Sequence, residues 1–253
     1  MKLFVLQAGF ADVDKGQVLT PGSGDGTMVR IPVPMYLVEH DDGSRTLIDT
    51  GMHPVHVDDP GHTFADSPLA DAIAPIMRHE DRLEHRLGEL GVGVGDITRV
   101  VNTHLHFDHC GQNGLFEGAP ILVQRAAYEA ATAEEGYASA YFDRPGLRYE
   151  LVEGDAEPAP ELCLVAAPGH AAGFQAVLVR LPSTGDVLLC GDAIAVPEQL
   201  DTGNWQACAD PVFGEASAAR LRGIADDTGA LMVFGHDPEQ WRGLRHAPGG
   251  FYD

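Results

Sequence analysis

His104-Leu105-His106-Phe107-Asp108-His109 places four potential metal ligands within six residues, directly after an apolar run that ends near Asn102. In extended backbone, residues i and i+2 point to the same side, so His104 and His106 can present two imidazoles to one ion. Asp108 and His109 are then left to serve a second ion. Packing does not account for the cluster, because buried His and Asp need partners and exposed ones gain nothing from crowding.

Outward from this segment, three more ligand types stand in matching places. His170 follows the apolar run Leu162–Ala166 through Pro168-Gly169, Asp192 follows Val187–Cys190 through Gly191, and His236 follows Leu231–Phe234 through Gly235. Taken singly, each reads as an ordinary structural residue. Together they put ligands just past four strand ends, where layered α/β folds gather ligands and where Gly lets backbone pass close to a site.

The rest of the chain agrees with an α/β fold, since apolar runs rich in Val, Ile and Leu alternate with stretches of helical period. Strands are predicted at Lys2–Leu6, Val29–Glu39, Thr46–Asp49, Thr98–Asn102, Pro120–Gln124, Arg148–Val152, Leu162–Ala166, Gln175–Arg180, Val187–Cys190 and Leu231–Phe234. Helices are predicted over Asp81–Leu90, where Leu83, Leu87 and Leu90 share one stripe, and over Ala126–Glu134, Glu215–Asp227 and Pro238–Leu244. The stretch His53–Asp71, rich in Pro, Gly, Asp and His, reads as a long loop, and long loops in compact domains are usually functional or disordered. Without an internal repeat or linker, residues 1–253 read as one domain.

Sixteen Lys and Arg against 38 Asp and Glu give a net charge of −22, which repels phosphate backbones and anionic membranes. No apolar run approaches the roughly 18 residues of a membrane span. The opening run Met1–Leu6 is broken by Gln7 and Asp12 too early for a signal peptide. Cys110, Cys163, Cys190 and Cys208 form no CxxC pair and read as free thiols in a reducing cytosol.

The ligand pattern resembles the metallo-β-lactamase superfamily. Within it, the segment 104–109, Leu47-Ile48-Asp49-Thr50-Gly51, Asn113-Gly114, Pro168-Gly169-His170 and Phe234-Gly235-His236-Asp237 are most similar to the N-acyl homoserine lactonases, over essentially the full length. The resemblance implies an αββα sandwich, two facing mixed sheets flanked by helices, with the metal site at one edge. It implies two divalent ions, zinc by default, with iron, cobalt or manganese fitting the same donors. His104, His106 and His170 would hold one, Asp108, His109 and His236 the other, and Asp192 would bridge them. Asp49 would hydrogen-bond beside the metal loop. Phe107 and Phe64 would wall the acyl chain. Lactonases usually carry a Tyr three residues after the bridging Asp, against the substrate carbonyl; here that place is Ala195. The carbonyl is then left to the metal, an ordered water, or a hydroxyl such as that of Tyr36. A milder difference is Ala171-Ala172 where Ser-Pro is more usual.

By the same resemblance the chain opens the ring of N-acyl homoserine lactones with a hydroxide shared by the two ions, and Asp108 carries a proton to the leaving oxygen. The expected partner is a small lactone, with no nucleic acid, membrane or organic cofactor; a homodimer is allowed, and the compartment is cytoplasmic. The same centre serves other lactones and esters and glyoxalase II-like thioesters. An iron-dependent persulfide dioxygenase uses only the first ligand set, so the intact second set argues against it. A flavodi-iron reductase usually has Glu where this chain has His106. A metal-binding module without catalysis is the remaining rival. His40, His53, His56, His62, His79, His85 and His246 show no ligand spacing and read as surface or loop residues. Cys110 reads as a small buried apolar residue.

Overall fold

Alternating apolar side chains in β1 (Lys2–Asp14) send Leu3 and Val5 to one face and Phe4 and Leu6 to the other, and all four are buried. A strand covered on both faces belongs to an inner layer. The computed structural model describes residues 1–65, 67–134 and 136–253. Asp66, within the predicted loop His53–Asp71, lies outside the described residues.

After β1 come α1 (Lys15–Val18), β2 (Met28–Glu39), β3 (Arg45–Ile48), β4 (Ile73–Ile76), α2 (Leu83–Gly88), β5 (Arg99–Val101), β6 (Pro120–Gln124), α3 (Arg125–Ala133), α4 (Ser139–Phe142) and β7 (Arg148–Val152). The second half holds β8 (Ala156–Ala159), β9 (Leu162–Ala166), β10 (Gln175–Leu181), β11 (Gly185–Gly191), α5 (Pro197–Thr202), α6 (Pro211–Thr228), β12 (Leu231–Phe234) and α7 (Pro238–Gly243). One sheet has the order β4-β1-β2-β3-β5-β6-β7 and the other β12-β11-β10-β9-β8. Both are mixed: β3, β5, β6 and β7 pair in parallel, as do β11 and β12, while the remaining neighbours are antiparallel.

Leu3, Val38, Ile48 and Val101 of the first sheet meet Leu164, Val177, Val187 and Leu189 of the second in one buried cluster between the sheets. Leu6, Met35 and Leu47 on the outer face of the first sheet pack against Leu83 and Leu87 of α2. Leu178 and Leu188 on the outer face of the second pack against Ala218, Leu221 and Ala225 of α6. This is the expected αββα sandwich.

Several element bounds differ from the expectations. β1 continues to Asp14 because its register shifts between Gln7 and Phe10, at Gly9 (φ 113°), and the bent second half pairs with β4. Gln7 and Asp12, which break the opening apolar run, lie within the longer strand and hold Asp81 and Arg30. The unpredicted β4 and β8 are edge strands containing Pro75 and Pro158, a place where Pro costs no ladder bond. The unpredicted α1, α4 and α5 are too short to show a helical period. α6 starts earlier than expected, at Pro211, with the Asp210 carboxylate accepting from the Val212 and Phe213 amides. Among the described residues no helix is long and apolar enough to cross a membrane. All four cysteines are free thiols.

Candidate metal centre

The strand ends converge as expected. His104, His106, Asp108 and His109 follow β5 of the first sheet, while His170, Asp192 and His236 follow β9, β11 and β12 of the second. Two glycines allow the approach. Gly169 (φ 140°) passes so close to α6 that a Cβ would lie 2.3 Å from the Gly214 nitrogen. At Gly235 a Cβ would lie 2.7 Å from the Gly191 backbone and 3.0 Å from Asp192 Oδ1.

The seven side chains form two donor groups: His104, His106, His170 and Asp192, and Asp108, His109 and His236. Asp192 faces both. Its Oδ2 lies 3.2 Å from His170 Nε2 and 3.9 Å from His104 Nε2. Its Oδ1 lies 3.3 Å from His109 Nε2 and 3.2 Å from His236 Nε2. Asp108 Oδ2 stands 3.5 Å from His109 Nε2 and 3.8 Å from His236 Nε2.

Contacts behind the rings set their tautomers. His236 Nδ1 lies 2.8 Å from the Pro32 carbonyl, which can only accept, so Nδ1 carries a proton and Nε2 is the nitrogen turned to the centre. His109 Nδ1 donates to Asp49 Oδ2 at 2.8 Å, with the same consequence. The Thr103 hydroxyl donates to Asp49 Oδ2 at 2.8 Å and accepts from His104 Nδ1 at 3.1 Å. Asp49 thus joins the His109 ring to Thr103, the neighbour of His104. The place of Thr103 directly before His104 was the available sign of this link.

His104 Nε2, His109 Nε2 and Asp192 Oδ1 are buried and have no hydrogen-bond partner among the described residues. His106 Nδ1 and His170 Nε2 stand only 3.0 Å apart, a separation that needs a shared proton or a cation between them. Orphaned lone pairs aimed at one small region are what a divalent cation satisfies. Imidazole and carboxylate donors without thiolate suit zinc and several other first-row metals.

Electrostatics agree with this division. Burial and the neighbouring imidazoles hold His104 well below the ordinary histidine range, and burial with His170 brings His106 down to about 3. Burial opposes charge on His236 and His109 too, yet Asp192 and Asp108 lift His236 to about 9 and hold His109 well above its usual value. Asp192 lies well below the carboxylate range despite burial, drawn there by His236, His109 and His170. The carboxylates therefore demand positive charge at this spot, as protons or as metal.

A cavity of about 350 Å³ opens onto the centre, with His106, Asp108, His170, Asp192 and His236 in its lining. Phe64 and Phe107 form an apolar wall, their rings edge to face at 4.8 Å. Ala195 lines it together with Leu19, Ile31 and Ile73. Its backbone is held at both ends: the amide donates to Gln199 Oε1 at 2.8 Å and the carbonyl accepts from the His236 amide at 2.8 Å. Tyr36 stands near enough to the centre for its hydroxyl to feel the charges of Asp49, His109 and Asp192. Its ring belongs to the core between the sheets, with Leu3, Val38 and Ile48, and is absent from the cavity lining. Cys110 is fully buried and outside both donor groups; its thiol donates to the Leu105 carbonyl. Two of the supposed surface histidines are buried: His40, bound to Thr46 Oγ1 at 2.9 Å, and His56. Cavity residues Cys208, Ala207 and Gln199 carried no local sequence signal.

The profile of the metallo-beta-lactamase superfamily matches residues 28–236, and the chain belongs to that superfamily. More particularly, it is 37% identical over 269 residues to N-acyl homoserine lactonase AttM of Azorhizobium caulinodans, covering 100% of this chain and 99% of the relative. It is 36% identical over 250 residues to N-acyl homoserine lactonase AiiA of Bacillus thuringiensis subsp. kurstaki, covering 98% of this chain and 97% of the relative. Among solved structures, an N-acyl homoserine lactone hydrolase with the product N-hexanoyl-L-homoserine at its catalytic metal centre superposes with a TM-score of 0.93 at 34% identity, covering 100% of this chain and 98% of that one.

Proposed function

We propose that this protein is a metal-dependent hydrolase that opens the lactone ring of N-acyl homoserine lactones, a quorum-quenching activity. The observation that carries the reading is an apolar cavity opening directly onto the seven-donor centre. The similarity to AttM and AiiA along the whole chain supports the same substrate class. His104, His106 and His170 would hold one ion and Asp108, His109 and His236 the other, with Asp192 shared; zinc fits these donors. When bound, two such ions supply a water acidic enough to ionise near neutral pH and a Lewis-acid contact for the ester carbonyl.

Ring opening consumes one water: its oxygen joins the acyl carbon, the ring C–O bond breaks, and the released oxygen takes a proton. Asp108 suits the proton transfer, since it belongs to the donor centre and also lines the cavity. Asp192 keeps the two donor sets together with one oxygen toward each. Phe64, Phe107 and Leu19 cover the acyl chain with apolar surface and keep water from it. His236, His109 and His104 are held by Pro32, Asp49 and Thr103 with their Nε2 atoms turned inward.

We read residues 1–253 as a single domain, since Tyr252 pairs back onto Leu3 through hydrogen bonds of 2.9 and 2.8 Å. Four free thiols support a cytoplasmic setting. The test is turnover by the purified protein on a panel of acyl homoserine lactones, simple lactones, thioesters and phosphodiesters, with metal content measured on the same sample. Acyl homoserine lactones should be preferred substrates. Ready thioester cleavage with no lactone opening above buffer would overturn the reading.

A further inference from the structure

Behind the aromatic wall of the cavity runs a chain of hydrogen bonds anchored on a buried histidine. His56 is fully buried, and its ring stands edge-on to Phe107 with centroids 5.7 Å apart. His56 Nδ1 lies 3.1 Å from the Pro60 carbonyl, His56 Nε2 lies 3.0 Å from Thr63 Oγ1, and Thr63 Oγ1 lies 2.9 Å from the Tyr141 hydroxyl.

The donors are forced in order. A carbonyl only accepts, so Nδ1 must carry the proton to Pro60. Burial pushes His56 below the ordinary histidine range, so the ring is neutral and its Nε2 is bare. The Thr63 hydroxyl must then donate to Nε2, and its oxygen accepts the Tyr141 proton. Every group has one arrangement, and a network in which each donor has its acceptor rigidifies what it joins.

What it joins is specific. Thr63 and the next residue, Phe64, belong to the segment between β3 and β4, whereas Tyr141 sits on α4 and packs in one buried cluster with Leu105 and Cys110 of the metal segment. His53 stacks flat on Tyr141 at 4.6 Å, a second tie between the same two pieces. Thr63 also lines both the cavity over the metal centre and a neighbouring hollow of about 610 Å³ flanked by His62, Tyr137 and Tyr141. Thr63 and Gly136 thus stand between the two spaces, with Phe64 on the side of the metal centre.

We propose that His56, through the hydrogen-bonded chain His56–Thr63–Tyr141, is a positioning residue that holds the Phe64–Phe107 wall and so tunes recognition of the acyl chain. The inference rests on the lactonase reading, because it assigns the wall to that chain. No ring atom of the lactone needs to touch His56. The chain acts on the distal part of the substrate and leaves the ring-opening centre alone.

The test measures kcat and KM on γ-butyrolactone, which has no acyl arm, and on hexanoyl and decanoyl homoserine lactones, for the metal-loaded wild type and three variants. His56→Leu should raise KM for the decanoyl substrate about five-fold, the scale of one or two lost hydrogen bonds, without lowering kcat. Its γ-butyrolactone kinetics and metal content should match the wild type. His56→Gln, which keeps an acceptor for Thr63, should restore most of the loss. Tyr141→Phe removes only the last donor; it should shift KM about two-fold in the same direction, and it carries the test should His56→Leu not fold. Equal losses on all substrates, or a chain-length profile parallel to the wild type, would overturn the inference alone. A wild type that opens no lactone overturns the proposed function and this inference with it.

Discussion

His109 Nδ1 donates to Asp49 Oδ2 at 2.8 Å, and Asp49 reaches it from left-handed backbone, φ 58°, the only non-glycine residue with positive φ among those described. That conformation costs on the order of 1 kcal/mol and persists only where surroundings impose it. Here the Thr103 amide and hydroxyl also bind the same carboxylate, each at 2.8 Å. Asp49→Ala should therefore leave the fold intact but weaken metal retention about 10- to 100-fold, the usual effect of losing a ligand's supporting carboxylate. Competition against a graded chelator, with circular dichroism as the fold control, checks it.

Asp192 turns one oxygen toward each donor group, so its loss should loosen both ions together. Elemental analysis of wild-type protein purified without chelator should give close to two metals per chain, and Asp192→Asn distinctly fewer. Chelation of the wild type should also lower its thermal midpoint, because Asp192, Asp108 and Asp49 would share the buried centre with fewer positive charges. A wild type with one metal per chain would contradict the two-group arrangement.

Asp108 belongs to the second donor group and also lines the cavity, a combination His109 lacks. If its carboxylate moves the proton, Asp108→Asn assayed at saturating metal should lower kcat by about two orders of magnitude or more. A variant that keeps both ions and near-native turnover would remove that role.

How much of this was legible in the sequence follows from how local each signal is. The candidate ligands announced themselves because a strand end, a glycine and a potential donor recur within a few residues, as in Gly191-Asp192 and Gly235-His236. The sheets were legible where buried strands read as Val, Ile and Leu runs. The edge strands β4 and β8 were not, since Pro75 and Pro158 are allowed there by the absence of a neighbour that sequence does not display. The strand bound at Leu6 fell short for the converse reason: Gln7 and Asp12 are polar, and the partners that hold them in β1, Asp81 and Arg30, come from elsewhere in the chain. His56 looked like any loop histidine because its acceptor, its donor and the ring it packs against lie at residues 60, 63 and 107.

Asp81 offers a test of stability that does not involve the metal centre. Its buried carboxylate accepts from Gln7 Nε2 at 2.9 Å, Arg86 Nη2 at 2.6 Å and the Arg78 amide at 2.9 Å, tying the approach to α2 onto the bend of β1. Burial would raise its pKa, but the bonds from Arg78, Gln7 and Arg86 together hold it below the ordinary value. A lowered folded-state pKa means the stabilisation is complete above the unfolded value near 4 and is lost as pH falls through the folded one. Asp81→Asn should thus cost about 3 kcal/mol at neutral pH, and the gap from wild type should shrink steadily below about pH 4. Urea unfolding of both proteins at pH 7 and at acid pH measures it. A gap independent of pH would mean that the charge is not what stabilises.

Ala195 is where this chain parts from the usual lactonase pattern, and the structure bounds what that can mean. The residue lines the cavity, while its backbone is fixed by Gln199 on one side and His236 on the other, so exchanging the side chain leaves the peptide in place. A Tyr there would add one hydroxyl near the substrate carbonyl and fill space beside Leu19 and Ile31. One hydrogen bond is worth about 0.5–1.5 kcal/mol net, or roughly 2- to 12-fold in rate or affinity. The centre itself, with all seven donors in place, does not depend on that group. The native protein should therefore open medium-chain acyl homoserine lactones, and Ala195→Tyr should change kcat/KM by no more than about ten-fold, with KM rising for bulky substrates as the cavity narrows. Steady-state kinetics on hexanoyl homoserine lactone for both proteins decide the matter: a gain of several orders of magnitude in the variant would show that the hydroxyl, absent here, is essential to lactone opening.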